Sequence, residues 1–160
     1  MKFRIIAAIA ALSATCMPLS ADQAQVSWLF VLTGESADLG TSEATFVEAD
    51  GSVFGFTDRP NRQHTDMSLS TFAGLWRDDG PFHGDHPNAV FTFAFEGEIS
   101  EMEVVINSVT LDGDRVLMSF DTLSGSAPGG VGDFSLFVDG ADTATMLVYS
   151  STFVPFDSSF

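Results

Sequence analysis

The chain has 160 residues, room for one domain, and sets 22 acidic residues against six Lys and Arg, for a formal charge of -16. With 45% hydrophobic and 12% aromatic residues it is far too apolar for a disordered acidic tail. The scarcity of positive charge excludes nucleic-acid binding by phosphate neutralisation.

Residues 1–21 read as a secretory signal peptide. Lys2 and Arg4 form a basic start, Ile5 to Leu12 is a short apolar run, and small residues lead to a cut after Ala21, with Ala24 as the second choice. The run is too short to span a bilayer. Cys16 raises the question of a lipid anchor, but Ser13 stands where a lipobox has a branched apolar residue. Cleavage leaves Arg59, Arg62, Arg77 and Arg115 against all 22 acids, a net charge of -18, with no Lys and no Cys. The expected product is an exported protein, periplasmic or extracellular, with one domain over residues 22–160 and no integral membrane segment. Without disulfides its stability must come from a hydrophobic core.

The body reads as short strands divided by turn residues. Val26 to Leu32 is a continuous apolar run suited to a buried strand, and Thr33 to Ser42 reads as a loop. Glu43–Glu48 and Ser52–Thr57 flank Ala49-Asp50-Gly51, an expected hairpin. Between Asp66 and Trp76 the apolar residues at 69, 72, 73, 75 and 76 predict one short helix with Ser68 or Ser70 as N-cap. Asn88 to Phe95 is a strand with Ala89, Phe91, Phe93 and Phe95 on one face. Glu101–Leu111 and Arg115–Thr122 form a second hairpin about Asp112-Gly113-Asp114, and Ser124 to Gly132 is a Gly/Pro/Ser loop. Asp133–Val138 and Thr143–Ser151 are a third strand pair about Asp139-Gly140. Seven or eight strands and one helix predict an all-β fold, an antiparallel β-sandwich of immunoglobulin-like or related form, its core supplied by the 16 Phe residues.

Phe56-Thr57-Asp58-Arg59-Pro60-Asn61-Arg62, followed by Phe72 to Trp76 and then Pro87-Asn88-Ala89, resembles an uncharacterised family of exported bacterial and algal proteins. Its pattern is F-[ST]-D-R-P-x-R, a short Phe/Trp segment, and P-N-A opening a strand. The likeness spans roughly residues 26–138. It implies that Asp58, Arg59, Pro60, Arg62, Trp76 and Asn88 matter together, as a binding or a structural motif, and it brings no established chemistry.

Arg59 and Arg62 hold half of the positive charge left after cleavage. The sequence favours a structural reading, in which they pair with Asp58 and other acids to fix the loop. The functional alternative is that two guanidinium groups three residues apart receive a carboxylate or sulfate, on a small anion or an extracellular partner. Asn88, at a strand start after Pro87, suits a hydrogen bond to loop backbone. All three histidines fall within a short span: His64, His83 and His86, with Asp85 between the last two. Imidazole and carboxylate together suit a transition metal, so a metal-binding protein or metalloenzyme is an alternative reading. The spacing matches no established metal motif.

Catalytic signatures are weak. No Ser lies in a Gly-x-Ser-x-Gly elbow, and the adjacent carboxylates of Asp78 and Asp79 point apart in a loop. Gly129 to Asp133 resembles one copy of a calcium nonapeptide, with its Asp one place early. The reading is therefore a non-catalytic binding or structural domain with no required cofactor. A small outer-membrane barrel is a second alternative, prompted by Phe156 and Phe160 and opposed by Pro155.

Overall fold

The computed structural model describes residues 27–47, 51–59 and 62–142. The signal peptide, the Thr143–Ser151 strand, Pro60 and the tip at Ala49 and Asp50 lie outside the described residues.

The fold is all-β with one short helix. Among the described residues ten strands occur in chain order: β1 (Ser27–Gly34), β2 (Ala37–Leu39), β3 (Glu43–Val47), β4 (Ser52–Thr57), β5 (His64–Ser68), β6 (Asn88–Phe95), β7 (Glu98–Asp112), β8 (Arg115–Ser124), β9 (Gly129–Val131) and β10 (Phe134–Asp142). Helix α1 (Leu69–Gly74) follows β5. All strands join one antiparallel sheet in the order β5-β4-β1-β10-β6-β7-β8-β3-β2-β9.

One sheet face forms the core. Phe30, Leu32, Phe91, Met102, Val104, Ile106, Phe120, Leu136 and Val138 alternate with outward residues and are almost wholly buried. The sheet bends over itself, because Phe46 on β3 meets Phe134 on β10, four places away in sheet order, with ring centroids 4.9 Å apart. Gly34 at the end of β1 also approaches Val47 on β3, where an added Cβ would lie 2.9 Å from the Val47 carbonyl oxygen.

Helix α1 begins where expected. Ser68 is its N-cap, and its hydroxyl accepts a hydrogen bond from Thr71 N at 3.2 Å. Phe72 packs edge-on to Phe30 at 5.8 Å, and Phe82 in the following loop packs against Trp76 at 4.8 Å. The helix thus adds an aromatic cluster to the inner face of β1.

The three Asp-Gly sites expected to turn the chain between strands have three different fates. Asp112 and Arg115 pair across a two-residue turn, with Gly113 at φ 63°, so the expected β7–β8 hairpin forms. No such hairpin forms around Gly51. β3 bonds to β8 and β2, β4 bonds to β1 and β5, and the link between them joins distant parts of the sheet. At Asp139-Gly140 the chain does not turn either, and β10 runs straight through. There Gly140 lies against a register shift in β1, and a Cβ on it would come within 1.8 Å of the Trp28 carbonyl oxygen. Glycine serves close backbone approach at that point.

The extra strands are short or lie in polar sequence. β2 falls inside the expected Thr33 to Ser42 loop, and β9 inside the Ser124 to Gly132 loop. Strand pairing across the bent sheet recruits them despite their turn-rich composition. β5 is the edge strand beside β4 and precedes the helix. Among the described residues no helix is long and apolar enough to cross a membrane.

Candidate functional site at one end of the sheet

The turn from β4 to β5 carries the Asp-Arg-Pro-x-Arg segment. Thr57 is buried; its N–H donates to Gln63 O at 2.9 Å, and its hydroxyl accepts from Gln63 N at 2.8 Å. Arg62 N donates to Asp58 O at 3.3 Å, and the Asp58 carboxylate accepts from Arg59 N. Arg62 has φ 49°, a left-handed conformation uncommon outside glycine, Asn and Asp. The turn is built from backbone and the Thr57 and Asp58 side chains. Both arginines are exposed, and neither takes part in an ion pair among the described residues. The structural reading favoured from the sequence, in which the guanidinium groups pair with acids to fix the loop, finds no such ion pair among the described residues.

Trp76 serves differently. It is 8% exposed and its indole Nε1 donates to Ile106 O at 3.0 Å. Ile106 N donates to Pro87 O at 3.0 Å just before β6, and Pro87 has no N–H to return the bond to the Ile106 carbonyl. Trp76 is thus a packing residue that satisfies a carbonyl its strand partner leaves open.

Asn88 is exposed at the start of β6, on the rim of an open depression of about 170 Å³. Phe82, Asp85, His86, Asp139 and Gly140 also line it. Its position relative to the arginines follows from strand register. Thr57 pairs with Trp28, Leu29 with Asp139, and Val138 with Ala89, so the ends of β4 and β10 and the starts of β1 and β6 share one end of the sheet. From β4 to β6 is three strand spacings, about 14 Å. The topology brings Asp58, Arg59, Arg62 and Asn88 to one end and leaves Trp76 in the core.

The histidines do not converge. His64 lies on β5 opposite Phe56 and stacks with Phe54 at 6.1 Å. His83 Nδ1 lies 3.9 Å from an oxygen of Asp78, with both side chains exposed. His86 and Asp85 line the depression beside Asn88. Among the described residues no group of three or more His, Cys, Asp or Glu side chains is placed to hold a metal ion. The His64, His83, Asp85 and His86 site expected from sequence proximity is corrected on this ground: β5 and the loop before β6 hold its members apart. The calcium-like Gly129 to Asp133 stretch is β9 and its link to β10. The outer-membrane barrel reading also loses support. The described sheet has two ends, β5 and β9, and its outer face carries exposed Glu101, Glu103 and Asp121.

Sequence reasoning placed the Phe residues in the core, yet among the described residues Phe54, Phe56 and Phe137 face out. Phe54 and Phe137 are 42% and 37% exposed. Gly55 is the reason on β4. It faces inward, where an added Cβ would lie 3.1 Å from the Phe30 ring, so its neighbours Phe54 and Phe56 take the outer face. The Phe-Gly-Phe spacing was the available signal, readable only once Phe30 is known to fill the space over Gly55.

Comparison with protein-family models, curated proteins and solved structures finds no match to this chain.

Proposed function

We propose that the chain is an exported, non-catalytic binding or structural domain whose bent sheet forms a two-layer sandwich, and that Arg59 and Arg62 receive an anionic group of a small ligand or partner. The observation that carries this reading is the β4–β5 turn. It is held without the guanidinium groups, which stand exposed and outside ion pairs among the described residues of a chain with 22 acids. Guanidinium forks match carboxylate and sulfate oxygens in pairs, and short-range contacts of this kind offset the repulsion of an anion by the net charge. Asn88 and the depression beside it supply neighbouring polar contacts. The resemblance to the exported Asp-Arg-Pro-x-Arg family supports treating Asp58, Arg59, Pro60, Arg62 and Asn88 as one functional group.

The test is a titration of the intact protein with sodium sulfate and with succinate at low ionic strength, followed by NMR of the arginine Nε–H signals. Saturable shifts at Arg59 and Arg62, weakened at least about tenfold in the R59Q/R62Q variant, are expected from paired charge-assisted contacts. Shifts spread evenly over all arginines, or unchanged in that variant, would overturn the reading. The export component is checked by N-terminal sequencing of the protein recovered from the expressing cell's exterior fractions, where a first residue of Asp22 is expected.

A further inference from the structure

We infer that the outer face of β4, β1, β10 and β6 docks a protein partner whose contact surface is apolar at its centre and rimmed by Lys and Arg.

Strand register places the residues. Phe54 on β4 pairs with Val31 on β1, Val31 with Phe137 on β10, and Phe137 with Val90 on β6. All four point away from the core, because their sequence neighbours Val53, Phe30, Leu32, Leu136, Val138, Ala89 and Phe91 are buried inward. They form an apolar row across four adjacent strands, about 14 Å from first to last. Phe56 and Leu29, also a register pair, widen it on one side. Phe54 and Phe137 are the most open members, at 42% and 37% exposure. Outward positions on an antiparallel sheet are ordinarily polar where they meet water, so a contiguous row of this width marks a contact surface.

Charge defines the partner. Asp66 on β5 pairs with Phe54 and ends the row on one side, and Glu103 on β7 pairs with Val90 and ends it on the other. Asp139, opposite Leu29, lies on the flank. Each of these acids is exposed. No Arg or Lys lies on these strands, since the described arginines sit in the β4–β5 turn, after α1 and at the start of β8. A surface that meets this face must place apolar side chains on the row and cations at Asp66, Glu103 and Asp139. A second copy of this chain is a poor occupant, because its acids would meet acids under a formal charge of -16 on each copy. An anionic lipid surface is disfavoured by the same repulsion. This inference does not use Arg59 or Arg62 and stands or falls apart from the anion reading.

The experiment uses the intact protein and a synthetic peptide with a central run of Val flanked at both ends by Lys, with a peptide carrying Glu in place of Lys as control. Isothermal calorimetry and NMR shift mapping are run on wild type and on F54S/F137S and D66N/E103Q. The Lys peptide is expected to bind with shifts centred on Val31, Phe54, Val90 and Phe137. Affinity should fall at least about tenfold in F54S/F137S, fall in D66N/E103Q, and be absent for the Glu peptide. Circular dichroism of each variant checks the fold, which changes at outward positions should leave intact. Binding of the Lys peptide that survives F54S/F137S would be diffuse attraction to an acidic chain and would overturn the inference. So would no binding at all. A concentration-dependent dimer in sedimentation, lost in F54S/F137S, would assign the face to a second copy. Tighter binding of an uncharged peptide with the sequence of residues 143–156 would assign it to the chain itself. Either result would also overturn the inference.

Discussion

The indole of Trp76 is joined to the carbonyl of Ile106 opposite Pro87, which has no N–H to offer it, and the ring is packed between Phe72 and Phe82. Trp76→Phe keeps most of the ring contact and removes the donor, leaving a buried carbonyl unsatisfied. The expected loss is about 1–3 kcal/mol in urea unfolding, with no change in anion binding at Arg59 and Arg62. An equal loss of anion binding would return Trp76 to the binding site. Gly140 is equally constrained for a different reason. A methyl group there would overlap the Trp28 carbonyl, 1.8 Å away, so β1 and β10 must separate. Gly140→Ala should cost about 3 kcal/mol, measured the same way. A neutral outcome would mean the bulge at Trp28 relaxes without loss of pairing.

Among elements, the helix and the β6–β7 turn show local sequence at work. The hydroxyl of Ser68 is the acceptor for Thr71 N, and Ser68→Ala should cost about 1 kcal/mol of stability. The β6–β7 turn holds Glu96 at φ 51° and Gly97 at φ 83°, so both central residues are left-handed, as a type I′ turn requires. Glutamate is strained there, whereas asparagine tolerates it. Glu96→Asn is expected to raise stability by about 1 kcal/mol, seen as a higher midpoint in thermal unfolding. The helix was legible because its cap and apolar spacing act within a few residues. Strands β2, β5 and β9 were not: β2 and β9 are three residues long and pair with each other from opposite ends of the described chain, and β5 is an edge strand of mostly polar sequence that buries no residue.

For the molecule as a whole, charge acts against compactness. With 22 acids and six basic residues, and with the described arginines outside ion pairs, the folded state concentrates like charge that the unfolded chain spreads out. Salt screens that repulsion over about 10 Å at 0.1 M. Raising sodium chloride from 0.05 to 1 M should therefore lift the melting temperature by a few degrees in a calorimetric scan. A melting temperature that falls with salt would show that attractive pairs outweigh the repulsion.

The sequence alone determined what depends on composition and near neighbours: an acidic all-β chain, the strands at Ser52–Thr57 and Asn88–Phe95, the β7–β8 hairpin and a short helix capped at Ser68 or Ser70, of which the structure takes Ser68. Period-two alternation and capping chemistry are local, so they can be read without the fold. Only the tertiary structure decided what depends on which strands become neighbours. Three of the four Asp-Gly dipeptides became a hairpin, a link between distant strands and a close backbone contact, because the pairing partners differed in each place. The same pairing kept His64 away from His83 and His86, brought Arg59 and Asn88 to one end of the sheet, and turned Phe54 and Phe137 outward into one row. A local pattern states that a residue alternates. Long-range hydrogen bonding and the filling of the core decide which face it takes and what stands beside it.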